Sequence, residues 1–454
     1  MPFRHFVSSV AALLVASSCA GPGMTPVGPG KTVESPSIVR SKLGRYIKHV
    51  VIIVQENRSF DNVFAGFPGA DAPTFGYMKS DPTTKVPLEQ ITLKASQDIA
   101  QHYGDAVTDI DGNNMDGFGT PLLYGGGNVG RFAYSYLAHK DVAPYWTMAK
   151  RYVLADHMFP TILGPSFTAH LALIASTANL SSTQSLENYP TSEPWGCDAP
   201  SGTQTYLMNN QGSWSQGPFP CFTTIATMAD TLDAAGVNWK YYAPAVAVGG
   251  NVGGQVWSTF DAIKKVRYGP DWTKRVISPP QQILADAQKN ALPSVAWVMP
   301  DWAWSDHPAT YSDAGPSWVA AIVNEIGQSK DWKSTAIFIL WDDWGGFFDN
   351  VPPPQLDFRG LGIRVPCIIV SPYVRPHVSH TQYEFGSILR FTEDAFRLPR
   401  LGAMADGYTD QRAANIIDSF DFTQGPRKFR TIRSKYPTSY FLNAAASMRA
   451  PDDE

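Results

Sequence analysis

Three stretches of the chain carry side chains that could bind a cation or transfer a group. Residues 48–61, KHVVIIVQENRSFD, pass from an apolar run into Glu56 and Asn57. Residues 335–346, TAIFILWDDWGG, pass from another apolar run into the adjacent pair Asp342 and Asp343. Carboxylates placed together after buried strands repel one another, and burying one without a partner is costly. A divalent cation would offset that charge, and oxygen donors from Glu56, Asn57, Asp342 and Asp343 favour calcium, magnesium or manganese over thiol-seeking metals. In the alternative, Asp342 and Asp343 point oppositely, one into solvent and one capping the turn at 344–345. The third stretch is FPTILGPSFTAHLALIAST, residues 159–177. Ser166 follows the Gly164–Pro165 turn and begins an apolar helix over 167–176. A serine there is either an N-cap or a nucleophile whose charge, with that of a bound phosphate, would sit at the positive helix end. His170 lies four residues on, on the same helical face. No G-x-S-x-G elbow surrounds Ser166, which weakens a serine-esterase reading.

These groups need a scaffold, and the hydrophobic pattern supplies one. Residues 50–54 are the β-branched run of a strand buried on both faces. Further strands are expected at 239–242, 294–299, 335–341 and 365–370, and helices at 224–235, 280–290, 317–327 and 385–396. The alternation predicts an α/β fold, a mostly parallel central sheet with helices on both faces. Ligands of such sheets bind beyond the carboxyl ends of the strands. Asp301, Asp306 and His307 follow the strand ending at Met299, and His377 and His380 follow the one ending at Val370. Four strand ends are therefore expected to bring acids and histidines into one crevice. Residues 132–156 read as helices packed on the sheet and broken at 142–144, residues 66–100 as surface loop, and residues 178–222 as an insertion over one face. His102 precedes a polar run, 109–117, that lacks the closing Glu of a calcium loop and reads as a solvated turn. Trp302, Trp304, Trp341 and Trp344 flank the motifs, as pocket walls or as core.

The chain of 454 residues is 44% hydrophobic and 12% aromatic, enough for one large domain, expected over 44–450. A net charge of −4 and the lack of a basic patch argue against nucleic acid. Arg4, the apolar residues 6–16 and the small residues 17–20 predict a signal peptide over 1–20, too short to span a bilayer. A Gly-, Pro- and Ser-rich linker follows over 21–43. The expected location is secreted or periplasmic, with a lipid anchor at Cys19 as the alternative, and no later apolar run is long enough for a transmembrane segment. Cys197 and Cys221 could close a loop in an oxidising compartment. Cys367, in an apolar run, reads as a buried free thiol.

Seven motifs then add up. They are ENRSFD at 56–61, MDGF at 115–118, FPTILGPSFTAH at 159–170, DHP at 306–308, WDDWGGFFDNVPPP at 341–354, VPCIIVSPYVRPHVSH at 365–380 and SILRFTEDAFRLP at 387–399. In this order, over about residues 46–428, the chain resembles the bacterial phosphoesterase family, which holds the non-specific phospholipases C and the respiratory-burst-inhibiting acid phosphatase. The resemblance implies an alkaline-phosphatase-like core and hydrolysis of a phosphate ester or phospholipid head group. It implies that Glu56, Asn57, Asp342 and Asp343 hold one divalent metal ion (calcium, magnesium, manganese or zinc), with Ser166 as the nucleophile touching it. His102, His307 and His380 match the family's phosphate-binding and proton-transferring histidines, with Asp306 supporting His307. Ala169 stands where the family often has Asn, and His170 resembles the acid-phosphatase branch. Three carboxylates against one divalent ion leave a charge of about −1, so protonated histidines must help hold a phosphate dianion, which predicts an acidic to near-neutral optimum. The alternatives are a metal-free serine esterase using Ser166 and a catalytically silent binding protein on the same fold.

Overall fold

The computed structural model describes residues 43–246 and 257–445. The expected signal peptide, Cys19 and all but the last residue of the expected linker lie outside the described residues. The described chain is built on a nine-stranded sheet. Its strands are β1 (His49–Gln55), β2 (Val153–Phe159), β3 (Trp239–Tyr242), β4 (Val276–Ile277), β5 (Val295–Val298), β6 (Thr335–Trp341), β7 (Val365–Val370), β8 (His377–Ser379) and β9 (Tyr383–Glu384). They run in the order β4-β3-β5-β1-β6-β7-β2-β8, with β9 also on β2. All pairings are parallel except those of β7, which is antiparallel to both β6 and β2. Every residue of β6 and all but the first of β1 are buried, which is why both read as unbroken apolar runs.

The helices that matter to the site are α1 (Phe60–Phe64), α2 (Tyr103–Ile110), α3 (Ala143–Arg151), α4 (Ser166–Ala175), α5 (Gly315–Gln328) and α6 (Phe385–Phe396). α3 packs on β2 and β7 and against α5, while α4 packs against α6. All ten residues of α4 are buried, so its sequence is apolar on every side except at Ser166, Thr168 and His170. Ser59 caps α1, its Oγ accepting from the Asn62 N–H at 3.1 Å.

The structure departs from the sequence expectation in three places. Residues 132–156 hold a strand at Ser135–Leu137, helix α3 and the start of β2, not helices alone. Pro144 opens α3 instead of breaking it, because the first turn has no N–H bond to lose. The polar Asp156 and His157 interrupt the apolar pattern of β2 and hide it from a periodicity reading. Residues 66–100 include an antiparallel pair, Phe75–Met78 with Asp81–Pro87, and a strand, Glu89–Ile91. Finally, β7 is antiparallel. Val370 pairs with Ile337 near the start of β6, so the carboxyl end of β7 lies at the opposite edge from those of β1 and β6. Residues 371–380 therefore do not follow the other strand ends into one crevice.

The insertion at 178–222 holds four antiparallel strands, Asn179–Ser181, Gln184–Leu186, Tyr206–Asn209 and Trp214–Gln216. Cys197 and Cys221 form a disulfide across 24 residues, and Cys367 is a buried free thiol. Tyr189 stacks on Trp195 at 4.6 Å, and Trp195 meets Phe167, the residue after Ser166, at 6.0 Å. The insertion thus packs over the start of α4. Closing a loop of this length constrains the unfolded chain by about 3.5 kcal/mol. Reduction with dithiothreitol, or the double substitution Cys197→Ser with Cys221→Ser, is expected to lower the thermal midpoint while leaving far-ultraviolet circular dichroism unchanged at 25 °C.

Candidate active site

Gln55 and Trp341 pair directly, so the loops leaving β1 and β6 start level and side by side. Asn57 takes a left-handed backbone with φ of 57°, a conformation asparagine tolerates better than most residues. Its N–H donates to Asp342 Oδ1 at 2.9 Å. Gly345, with φ of 61°, approaches so closely that any Cβ would collide with the Asn57 carbonyl oxygen. Only glycine meets both requirements at that point.

The Gly164–Pro165 turn brings the start of α4 up to these loops. Ser166 is the first residue of the helix, and its Oγ donates to Asp343 Oδ2 at 2.9 Å. Asp343 Oδ1 accepts from the Gly345 N–H at 2.9 Å. One helical turn on, His170 Nε2 lies 3.2 and 3.4 Å from the two Glu56 oxygens and 3.4 Å from Asp342 Oδ2. The Glu56, His170 and Asp342 side chains are 0% exposed. Asp342 and Asp343 do turn to different partners, but both are buried and neither reaches solvent.

Burial and the neighbouring Asp342 charge push Glu56 up to about 8. Burial would lower His170, but attraction to Glu56 and hydrogen bonding to Asp342 outweigh it and raise the imidazole to about 10. Asp342 is pushed up by burial and more strongly pulled down by His170, to about 2. The His170 imidazole therefore occupies the place between the Glu56 and Asp342 carboxyl groups where a metal cation would be expected. One donor atom from each of Glu56, His170 and Asp342 falls within 4.8 Å of the others, so the group is compact enough for one ion. The donor set is two carboxylates and an imidazole, not oxygen alone. Ser166 and Asp343 are bonded to each other beside it, with Asn57 next to Glu56. The spacing of Ser166 and His170 was the sequence signal for this, since residues four apart share a helical face.

The other expected site residues are distributed unevenly. His102 starts α2 at the end of the 98–102 loop, 38% exposed, with its ring 5.9 Å from that of Tyr189 in the insertion. His307 is buried against Trp302, ring centroids 4.8 Å apart. Asp306 does not support His307. Its Oδ2 accepts from Tyr145 Oη at 2.6 Å, and Gln55 Nε2 donates to that Oη at 3.1 Å. Burial raises the Asp306 carboxyl to about 6. His380 follows edge strand β8 and bonds through Nδ1 to Asp156 Oδ2 at 2.9 Å, with its side chain 61% exposed. Three strand spacings, about 14 Å, separate β8 from β6, so the structure does not bring His380 to the Glu56–Asp342 group. Trp302, Trp304, Trp341 and Trp344 are all buried and serve as core.

The family model for the phosphoesterase family matches residues 47–399, and the chain belongs to that family. It is a phosphoric ester hydrolase. Phospholipase C B of Mycobacterium tuberculosis is 26% identical over 442 residues, covering 84% of this chain and 78% of the relative. Hemolytic phospholipase C of Pseudomonas aeruginosa is 22% identical over 445 residues, covering 83% and 56%. Non-specific phospholipase C4 of Arabidopsis thaliana is 23% identical over 431 residues, covering 84% and 73%. Among solved structures, a protein in the alkaline phosphatase superfamily from Vibrio parahaemolyticus superimposes with a TM-score of 0.36 at 10% identity, over 80% of this chain and 74% of that one.

Binding a divalent ion at this group requires Glu56 to ionise and the His170 nitrogen facing it to lose its proton. In the metal-free protein Glu56 holds its proton up to about 8 and His170 up to about 10. Affinity for manganese or zinc is therefore expected to rise with pH up to about 10, more steeply below about 8, with proton release on binding. Calorimetry in two buffers of different ionisation enthalpy measures both quantities; a pH-independent affinity with no proton release would count against the assignment.

Proposed function

We propose that this protein is an exported, metal-dependent phosphoesterase that uses Ser166 as its nucleophile on phosphomonoesters or phospholipid head groups. The observation that carries this reading is the position of Ser166. It begins α4, bonds through Oγ to Asp343, and lies one helical turn from the Glu56–His170–Asp342 group. The helix terminus favours the negative charge of a bound phosphoryl group. Asp343 accepts the hydroxyl hydrogen and so orients the attacking oxygen. Glu56, His170 and Asp342 would hold the ion, with Asn57, Asp343 and Ser166 alongside. The imidazole moves the choice away from calcium and magnesium towards zinc, with manganese still compatible with the two carboxylates. Such an ion, when bound, neutralises charge developing on the transferred phosphoryl oxygens. Ser166 passes its hydroxyl proton to Asp343 as Oγ attacks phosphorus in line, and His307 or His102 gives a proton to the departing ester oxygen. Water then attacks the phosphoserine, its proton restoring the histidine, while Asp343 returns the first proton to Ser166 Oγ as the P–Oγ bond breaks. His380, on the far edge strand, has no part in this scheme. The Cys197–Cys221 disulfide supports an oxidising compartment and hence export.

A metal-free serine esterase needs an imidazole on the serine hydroxyl. Here the hydroxyl bonds a carboxylate, and His170 is held between Glu56 and Asp342. A silent binding protein has no need of these buried charges, yet the group is complete.

Hydrolysis of p-nitrophenyl phosphate tests the proposal. Ser166→Ala is expected to lower kcat at least about a thousandfold. A chelator should abolish activity, and added manganese or zinc should restore it. At saturating metal the optimum should be acidic to near neutral, whereas a rate climbing steadily from about pH 6 to about pH 9 contradicts the charge argument. Comparison with p-nitrophenyl phosphorylcholine separates monoester from head-group preference. Activity untouched by both Ser166→Ala and chelation would end the proposal.

A further inference from the structure

We propose that Asp98 is the positioning residue of His307, holding its imidazole so that Nε2 can give a proton to the leaving oxygen. The role of His307 as proton donor rests on the function proposed above. The sequence offered Asp306 as the partner because it is adjacent. The structure turns Asp306 away, since its backbone is left-handed, with φ of 70°, and its carboxylate is spent on Tyr145. The tight approach of Gly315 to Asp306 Oδ1 fixes that orientation.

Asp98 comes from the far side, on the loop before α2. Its Oδ2 lies 3.8 Å from His307 Nδ1, with the two side chains 5% and 3% exposed. Asp98 Oδ1 accepts from the Ile99 N–H at 3.0 Å, and Asp98 O accepts from the Tyr124 N–H at 3.0 Å, so the carboxylate cannot swing away freely. His307 Nδ1 is also 2.8 Å from Pro308 O. A carbonyl oxygen only accepts, so Nδ1 carries a hydrogen and Nε2 is the nitrogen that would transfer the proton. The Trp302 ring against one face of the imidazole restricts its rotation. Arg58 completes the arrangement. Its Nε donates to Asp306 O at 2.9 Å, fixing the residue before His307, and its charge is felt by both Asp98 and Asp306. Among the described residues, the charged groups near His307 include Asp98, Asp306 and Arg58, and Asp98 places a carboxylate oxygen 3.8 Å from its Nδ1.

In the proton transfer the Nε2–H bond breaks and an O–H bond forms on the departing oxygen. The imidazolium becomes a neutral ring that keeps its Nδ1 hydrogen on Pro308 O, beside the Asp98 charge. A buried carboxylate beside Nδ1 favours the tautomer with its hydrogen there, which directs Nε2 to the departing oxygen.

The test uses the whole protein with Asp98→Asn, which preserves shape and removes charge. Nitrogen-15 NMR of the imidazoles, with the His307 signal assigned through His307→Gln, reports its tautomer without any substrate. The expected result is a single Nδ1–H tautomer in the wild-type protein and a mixture of tautomers in Asp98→Asn. Asp306→Asn should leave the tautomer unchanged. In turnover, kcat of Asp98→Asn should fall about tenfold with KM within about twofold. Asp98→Glu, which keeps the charge, should retain more of kcat and of the single tautomer than Asp98→Asn and guards against loss of fold. An unchanged His307 tautomer in a folded Asp98→Asn protein, or a larger change in Asp306→Asn, overturns the proposal. A wild-type protein inactive on phosphate esters, or a fully active Ser166→Ala protein, would instead sink the phosphoesterase reading and leave the NMR result to stand alone.

Discussion

Glu56 and Asp342 leave neighbouring strands and are both withdrawn completely from water, and the surrounding architecture answers to that constraint. Two such carboxyl groups are tolerated only when their charge is offset, by a proton or by positive charge between them. His170 stands between them in the protein alone, and placing it there requires a helix buried along its length. A helix apolar on every side is the sequence cost of that placement, and the insertion packed over Phe167 is its structural counterpart. The two strands can be so fully apolar because the sheet is covered, and the sheet is covered partly by the helices that carry the site.

The carboxyl-edge geometry was legible in the sequence wherever one strand and its loop were enough to define it. Glu56, Asn57, Asp342 and Asp343 each follow an unbroken apolar run, and parallel neighbours place such residues together. Ser166 and His170 were legible as a pair through helical spacing alone. The assignment of His170 to the charge cluster was not, because nothing in the order of residues says which face of α4 meets Glu56.

What could not be read is traceable to particular residues. The direction of β7 has no local signature, since a strand buried on both faces looks the same in either orientation. His380 was consequently expected in the crevice and lies on the opposite flank of β2. Asp306 looked like the partner of His307 because it is adjacent, whereas a left-handed backbone sends the two side chains apart. The strand at 153–159 was masked by Asp156 and His157. Asp98 lies in a loop with no periodicity, more than two hundred residues from the histidine it approaches, and only the tertiary structure could connect them.

The contact between Gly345 and the Asn57 carbonyl joins segments that are remote in sequence, as do the bonds from His170 to Glu56, 114 positions apart, and from Ser166 to Asp343, 177 apart. No fragment of the chain contains a usable part of this centre. It comes into being only when β1, β6 and α4 have docked through contacts distant in sequence. A chain crossing a membrane unfolded would therefore carry no high-affinity site for a cation. On the proposed metal dependence, the ion would be taken up from whichever compartment folding finishes in, and metal supply there, not in the compartment of synthesis, would decide which ion is bound.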